Sequence, residues 1–594
     1  MKYADVLVSW LVQEGYDTCY FVAGGNIMHL LDGVRTRVRC LPVVHEVAAA
    51  IAVEYHNEVA AARGRGGRAF ALVTAGPGLT NALTGLAGAY LESRELLLIG
   101  GQVKREDLAP EGMRQLGIQE VDGVAMAAPV CKRSERMLEP WPRQRLSAVL
   151  RDGSSGRPGP VFLELPLDVQ AMAVPDAWLE QDGEPPVPAP LDGPAPALLP
   201  DDLLTAIREA RRPLLLLGGG LSRQLCRQSA ARLEALALPL MTTWNGADRI
   251  PADQPNYAGR PNTWGMRSSN LLLQQSDLVV ALGTRLGLQQ TGFNWQAFVP
   301  QGRVAQVEID PTELAKPNPR VDWSLCGDAD QALRDLLAAD LGDHGDWLAF
   351  CREVRQALPL SEAANATAAG FLNPYDMVLD LSRCCGEGDV IVPCSSGGAF
   401  TVMMQAFQQR RDQWMITDKG LASMGYGLSG AIGAAVAAGG RRVVLVEGDG
   451  GFTQNLQELA TVAANRLNLK IFLFANHGYA SIRMTQRNYF GGSYLGCDTE
   501  SGLGFPDWEL LFRAYGIPLQ RLQPGWSEQE AFRAAFDSPG PQAFEVPLDP
   551  EQTYFPKISS RVRPDGGMES NPLHRMSPEL SDEQWARLCP YLPA

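Results

Sequence analysis

Histidine is scarce in this chain, with six in 594 residues. His29, His56 and His344 stand alone, without the close spacing that holds zinc. The eleven cysteines are dispersed and make no CxxC pair, a usage that points to reduced thiols in a cytoplasmic protein. Apolar runs are short: none reaches the roughly 18 residues that a membrane-spanning helix needs. The opening Met1-Lys2-Tyr3-Ala4-Asp5 begins an amphipathic helix that includes Asp5 and Glu14, not the apolar core and cleavage site of a signal peptide. Positive charge is in deficit. The net charge of −15 and the pI near 5.0 speak against a nucleic-acid or anionic-membrane partner and leave small anionic substrates open. Heptads and long polar tracts are missing. What is there is globular, 45% hydrophobic and 20% charged, and long enough for several domains.

The dominant pattern is a short apolar run that enters a glycine turn and then a helix. Thr18 to Val22 enters Ala23-Gly24-Gly25-Asn26, Leu41 to Val44 enters His45-Glu46, and Ala69 to Val73 enters Thr74-Ala75-Gly76-Pro77-Gly78. Leu96 to Gly100 and Pro160 to Leu165 complete a first unit over residues 1–172. A Pro-rich linker, 173–200, follows, with Pro185-Pro186-Val187-Pro188 at its centre. A central unit spans 201–345. There Pro213 to Leu217 enters Gly218-Gly219-Gly220, Leu278 to Leu282 enters Gly283-Thr284-Arg285, and Val304 to Ile309 enters Asp310. A third unit spans 346–550, and a tail, 551–594, is too rich in apolar and aromatic residues to stay free of the body. The pattern predicts an α/β protein of three doubly wound parallel-sheet domains. The first and third units read alike, as an old duplication would.

Within the third unit, Val443 to Val446 runs into Glu447-Gly448-Asp449-Gly450-Gly451. A helix is expected at Asn455 to Val462, then a second buried strand at Leu469 to Ala475, ending in Asn476-His477-Gly478. A right-handed βαβ crossover brings both strand ends to one edge, so Asp449 and Asn476 converge. A carboxylate and an amide oxygen are hard donors. With a main-chain carbonyl and phosphate oxygens they suit Mg²⁺, and the glycine amides and helix start favour a phosphate. Glu46 is the other anchor, a carboxylate opening the apolar run Val47-Ala48-Ala49-Ala50-Ile51. Its position serves equally a helix-start acid facing the dipole and an acid put there for chemistry.

These stretches resemble thiamine-diphosphate enzymes. Gly448-Asp449-Gly450 followed by Asn476 is similar to their Gly-Asp-Gly and Asn-Asn signature, with Ala475 standing where the first Asn falls. His45-Glu46, Gly76-Pro77-Gly78-Leu79-Thr80-Asn81 and Gln119-Glu120-Val121-Asp122 resemble the pyrimidine-binding half of acetohydroxyacid (acetolactate) synthase large subunits, and Gly425-Tyr426-Gly427-Leu428 their diphosphate-binding half. The similarity runs in order along nearly the whole chain. Met113 to Glu120, Ser155 to Pro160, Cys497 to Leu503 and Asn571-Pro572-Leu573-His574 look most like members found in polysaccharide and branched-sugar clusters.

The resemblance implies a metal held by Asp449, Asn476 and the carbonyl of Gly478, with Gly24, Gly397, Met424, Gly448, Gly450, Gly451 and Tyr479 also against the cofactor. It implies that Glu46 works on the cofactor's aminopyrimidine, with Asn81 and Gln119 lining the pocket. As side chains alone, Met424 also has a reading as a core residue, and the two amides one as structural groups. In the middle unit, FAD against Gly218, Gly219, Thr284, Arg285 and Asp310 stands beside a purely structural domain. The implied reaction takes a two-carbon unit from pyruvate or a similar 2-oxo acid to a ketone or second 2-oxo acid. Simple decarboxylation or C–C lysis on the same cofactor is the alternative, and a non-catalytic subunit a third. Met484 and Thr485 replace the family's Gln-Trp, and Ile118 the Phe before its Gln-Glu, so a larger acceptor is expected. A homodimer or homotetramer with the site between subunits is also implied.

Overall fold

The computed structural model describes residues 1–64, 67–181 and 198–592. The core of the Pro-rich linker, 182–197, lies outside the described residues.

Three parallel sheets carry the chain. The first holds β1 (Tyr16–Phe21), β2 (Arg39–Pro42), β3 (Arg68–Val73), β4 (Leu96–Gln102), β5 (Arg133–Arg136) and β6 (Pro160–Pro166), in the order β2-β1-β3-β4-β6-β5. The second holds β7 (Pro213–Leu217), β8 (Leu240–Thr242), β9 (Leu278–Leu282), β10 (Arg303–Glu308) and β11 (Trp323–Cys326), in the order β11-β10-β9-β7-β8. The third holds β12 (Val390–Val392), β13 (Trp414–Met415), β14 (Val443–Gly448), β15 (Leu469–Ala475), β16 (Leu519–Arg521) and β17 (Gln542–Pro547), in the order β13-β12-β14-β15-β17-β16. The first and third sheets thus follow one path, strand for strand. The central strands are continuous apolar runs because helices cover both faces; every residue of β4 and of β15 is buried.

In each sheet the connections leaving two neighbouring strands run to opposite sides at one place: between β1 and β3, between β7 and β9, and between β12 and β14. The loops diverge there and leave a crevice at the carboxyl ends of the strands.

The first and third domains share one apolar core. Its centre is the packing of the Glu46–Ala62 helix on the wholly buried Tyr426–Ala437 helix. Small residues permit the approach: a Cβ on Gly433 would lie 2.0 Å from the Ala52 carbonyl oxygen. The Gly345–Ala357 helix packs on the middle sheet, where Trp347, Cys351 and Val354 join Leu214, Leu216 and Val279, so that core extends past residue 345. The tail packs back as well. Tyr554 enters the core of the third domain, and Leu573, Leu588 and Leu592 enter that of the middle domain. No helix among the described residues is long and apolar enough to cross a membrane.

Candidate active site

The crevice of the third sheet gathers the tips of β12, β14 and β15. Asp449 follows β14 directly and is fully buried. Its Oδ1 accepts the Gly450 N–H at 2.7 Å; its Oδ2 accepts the N–H groups of Asn476 (3.0 Å) and His477 (2.6 Å). The outer end of the Asn476 amide stands 3.0 Å from Asp449 Oδ1 and 2.8 Å from the Gly478 carbonyl oxygen. With the amide oxygen at that end, three oxygens face one another with no proton between them. Such a triangle is the face of a cation's coordination shell. Ligands about 2.1 Å from Mg²⁺ stand √2 times farther apart, about 3 Å, along an octahedral edge. Burial also pushes the Asp449 carboxyl up to about 7 against its N–H partners, a cost that a divalent ion would remove. Among the described residues no group of three His, Cys, Asp or Glu could hold a metal, so this oxygen set favours a hard ion over zinc.

Around it the backbone is bare. A Cβ on Gly448 or on Gly397, the latter at φ +77°, would meet nothing within 4 Å, which leaves a cradle beside the oxygen triangle. Gly450 lies under the Tyr479 ring, where a Cβ would be 2.4 Å from the ring. Gly451 sits beside the Glu447 carboxylate. The Ser395 hydroxyl, past the β12 tip, donates to the Ser423 carbonyl and ties that tip to the loop carrying the exposed Met424.

In the first domain, Glu46 is the buried first residue of its helix, and its Oε2 accepts from Asn81 Nδ2 at 3.0 Å. Gln119 reaches the same loops through its backbone. Gly76 has φ +64°, and a Cβ there would stand 2.2 Å from the Gln119 carbonyl oxygen, so the two turns interlock. The Gln119 side chain is exposed. Gly24, past the β1 tip, presses on Thr74, past the β3 tip. Asp449, Asn476 and Gly478 therefore form one cluster and Glu46 with Asn81 another; no hydrogen bond joins the two among the described residues.

Three contributors escaped sequence reasoning. Glu458, fully buried, accepts the N–H groups of Val44 (3.1 Å) and His45 (2.9 Å) and the Thr461 hydroxyl (2.6 Å), and so ties the third domain to the turn that delivers Glu46. Glu447 accepts the Leu428 N–H at 3.1 Å, and burial pushes its carboxyl up to about 8. Tyr554, from the tail, sets its ring against Gly398 and lies within reach of Asn476. Of the two acids, Glu447 carried a signal, a charge at the end of an apolar run, and Glu458, beside Asn455 and Gln457, carried none. Tyr554 carried none. The expected helix at Asn455 to Val462 opens instead with a 3₁₀ turn, Leu456–Glu458, before the α-helix Leu459–Ala464.

At the tips of the middle sheet, the Gly218 N–H donates to the Leu282 carbonyl (2.8 Å) and the Gly220 N–H to the Gly283 carbonyl (2.9 Å). Gly219 and Arg285 are exposed beside them, and the Thr284 carbonyl accepts from Gln306 at 3.0 Å. Asp310 is engaged elsewhere: its carboxylate pairs with Arg157 of the first domain at 2.9 Å and caps Thr312 at 2.8 Å.

Residues 1–126 match the N-terminal TPP binding domain of thiamine pyrophosphate enzymes, 201–336 their central domain and 396–546 their C-terminal TPP binding domain. The chain is 30% identical to the acetolactate synthase isozyme 2 large subunit of Escherichia coli K12, over 97% of this chain and all of that one. It is 28% identical to the probable acetolactate synthase large subunit of Methanocaldococcus jannaschii, over 98% of both. The E. coli isozyme 1 large subunit is 28% identical over 93% of this chain and 95% of its own. Fold and site define a thiamine-pyrophosphate-dependent enzyme. Within that class, the chain belongs to the acetolactate synthase large-subunit family.

Proposed function

We propose that this enzyme decarboxylates pyruvate or a similar 2-oxo acid and joins the remaining acyl unit to a ketone or second 2-oxo acid. The observation that carries the proposal is the oxygen triangle of Asp449, Asn476 and Gly478 beside the open Gly397 and Gly448 cradle. Mg²⁺ on that triangle would anchor the diphosphate. Bound thiamine diphosphate would supply the carbon nucleophile and the electron sink. The chain's own groups do the rest. Glu46 holds or releases one proton at its carboxylate, in a site dry enough to make the transfer decisive. Asn81, donating to Glu46 Oε2, keeps that carboxylate aimed. Gln119 presents its free amide to the acceptor carbonyl. In the net reaction the bond to the carboxylate breaks and CO₂ leaves. The electron pair left behind forms the new C–C bond, and the acceptor oxygen takes a proton.

Met484 and Thr485, in place of Gln-Trp, support an acceptor larger than 2-oxobutyrate, the keto-sugar kind included. Large exposed apolar side chains, Ile118 at 85%, Leu495 at 78% and Phe490 at 64%, support a homodimer or homotetramer. FAD belongs to the proposal at Gly218, Gly219, Thr284 and Arg285, but not at Asp310, which Arg157 holds. Eleven free cysteines support a cytoplasmic location. The test is pyruvate, Mg²⁺ and thiamine diphosphate with a panel of ketones, read by mass spectrometry. A branched product is expected. Acetaldehyde alone would turn the assignment to a decarboxylase.

A further inference from the structure

A cavity of about 230 Å³ lies between the middle and third domains. One wall is the Arg223–Gln228 helix with the turn after β8 that carries Asp248 and Arg249; the other is the stretch from Arg410 that enters β13 at Trp414. No residue of the oxygen triangle or of the glycine cradle lines it. Two of its arginines are engaged at every guanidinium nitrogen. Arg223 donates to Asp248 (2.6 Å), Glu58 (2.7 Å) and the Met415 carbonyl (3.2 Å). Arg249 pairs with Asp248 and donates to the carbonyls of Leu221 (2.7 Å) and Gly219 (3.1 Å). The Asp248 carboxylate, wholly buried, thus answers two guanidinium groups and also accepts the Met415 N–H at 3.0 Å. Burial above all pushes the Arg249 guanidinium down, against the pull of Asp248 and with Arg223 adding to it.

Three more arginines line the cavity and are far less committed. Arg227 meets Asp412 at 3.0 Å and Arg411 meets Glu234 at 3.4 Å. Arg410 reaches the Arg383 carbonyl (3.3 Å) and has no carboxylate within ion-pair distance among the described residues. Each guanidinium carries five N–H donors, so most of theirs are left over. Arg227 and Arg441 also stand over the Trp414 ring, 5.8 and 4.7 Å from its centre. That ring is buried, and its Nε1, which can only donate, has no partner among the described residues. In a chain whose net charge is −15, positive charge and spare donors are gathered here. An unpaired buried donor is costly, and an anion that accepts from it removes the cost. The spare donors come from both walls. A carboxylate presents its lone pairs in one plane, whereas a phosphoryl group presents oxygens in tetrahedral directions and suits donors that converge from two sides. The cavity holds the volume of about eight waters at ~30 Å³ each, room for such a group with part of its hydration.

We propose that this cavity is a binding site for a phosphoryl group, held by Arg227, Arg410, Arg411 and the Trp414 indole N–H and bridging the middle and third domains. Radiolabelled inorganic phosphate, dialysed to equilibrium against enzyme saturated with thiamine diphosphate and Mg²⁺, tests it with the cofactor's own cradle filled. Saturable binding of one phosphate per chain is expected. The double substitution Arg410→Gln and Arg411→Gln is expected to weaken it at least tenfold, and Trp414→Phe, which takes away the indole N–H, at least threefold. Arg410 and Arg411 are exposed, so the double variant is expected to fold. Arg561→Gln with Arg563→Gln, the same loss of charge on the tail, is expected to leave the affinity unchanged. Competition with unlabelled ADP and unlabelled phosphate identifies the source: release by less ADP than phosphate assigns the site to the phosphates of a nucleotide, and release by less phosphate than ADP assigns it to the free ion. Absence of saturable binding overturns the inference. So does a folded Arg410→Gln and Arg411→Gln enzyme that keeps the wild-type affinity, or an equal loss in the tail variant, which would reduce the effect to overall charge. Malonate that displaces the label as well as phosphate does overturns the phosphoryl assignment.

Discussion

Glu458 is expected to be needed for full turnover, although it belongs to the opposite domain from Glu46. Its buried carboxylate holds the last two N–H groups before Glu46, those of Val44 and His45, and a hydroxyl from Thr461. Hydrogen bonds to a charged group contribute about 1.5–3 kcal/mol each. Two effects reduce the sum. Val44 is exposed, so its N–H regains water when the acid is removed. Burial raises the Glu458 carboxyl, so part of the gain is already spent on desolvation. A net loss of about 2 kcal/mol is expected for Glu458→Ala, read as a lower urea midpoint with an unchanged slope. The larger effect is positional. A 1 Å displacement of a reacting group can cost on the order of 100-fold in rate. We therefore expect kcat to fall about 10- to 100-fold while the affinity for Mg²⁺, set at Asp449, changes far less. Glu458→Gln retains one acceptor oxygen and should lose about half as much stability. A Glu458→Ala enzyme with kcat within twofold of wild type would refute the reasoning, because Glu46 would then be positioned without it.

Glu46→Gln should abolish turnover while thiamine diphosphate still binds, measured by calorimetry; an unchanged rate removes Glu46 from the chemistry. Asp449→Ala takes one oxygen from the triangle and should weaken Mg²⁺-dependent cofactor binding at least tenfold, titrated by fluorescence. Gly450→Ala would drive a Cβ to 2.4 Å from the Tyr479 ring and should lower both stability and cofactor affinity; a neutral result would mean that the ring moves freely. His56 is buried with its Nε2–H on the Gly67 carbonyl (3.1 Å) and its Nδ1 accepting from Tyr20 (3.0 Å), and burial lowers its pKa to about 4. The folded state binds this proton less readily than the unfolded state does. The stability it contributes is therefore full above the unfolded value of about 6.5 and is lost as pH falls through about 4, up to about 3 kcal/mol. His56→Phe should flatten that part of the stability profile, and an unaltered slope would assign the acid loss elsewhere.

The sequence by itself determined the sheet class, the strands at Pro213–Leu217, Leu278–Leu282 and Leu469–Ala475, and the convergence of Asp449 on Asn476. The physical reason is local. A strand buried on both faces must be apolar throughout, and a right-handed crossover leaves only one relative placement of the next strand tip. The short strands Arg133–Arg136, Trp323–Cys326 and Trp414–Met415 had no such signature, because two to four residues carry no period and the first two lie at sheet edges with exposed positions. Only the tertiary structure decided which groups support the site from afar. Glu458 meets His45 across 413 positions, and Tyr554 comes from the tail to Asn476. Those pairings follow from how two sheets of the same topology pack through a seam of small residues and how the tail lies on them. Contacts of that kind depend on the shape of the whole surface and leave no pattern in a window of neighbouring residues.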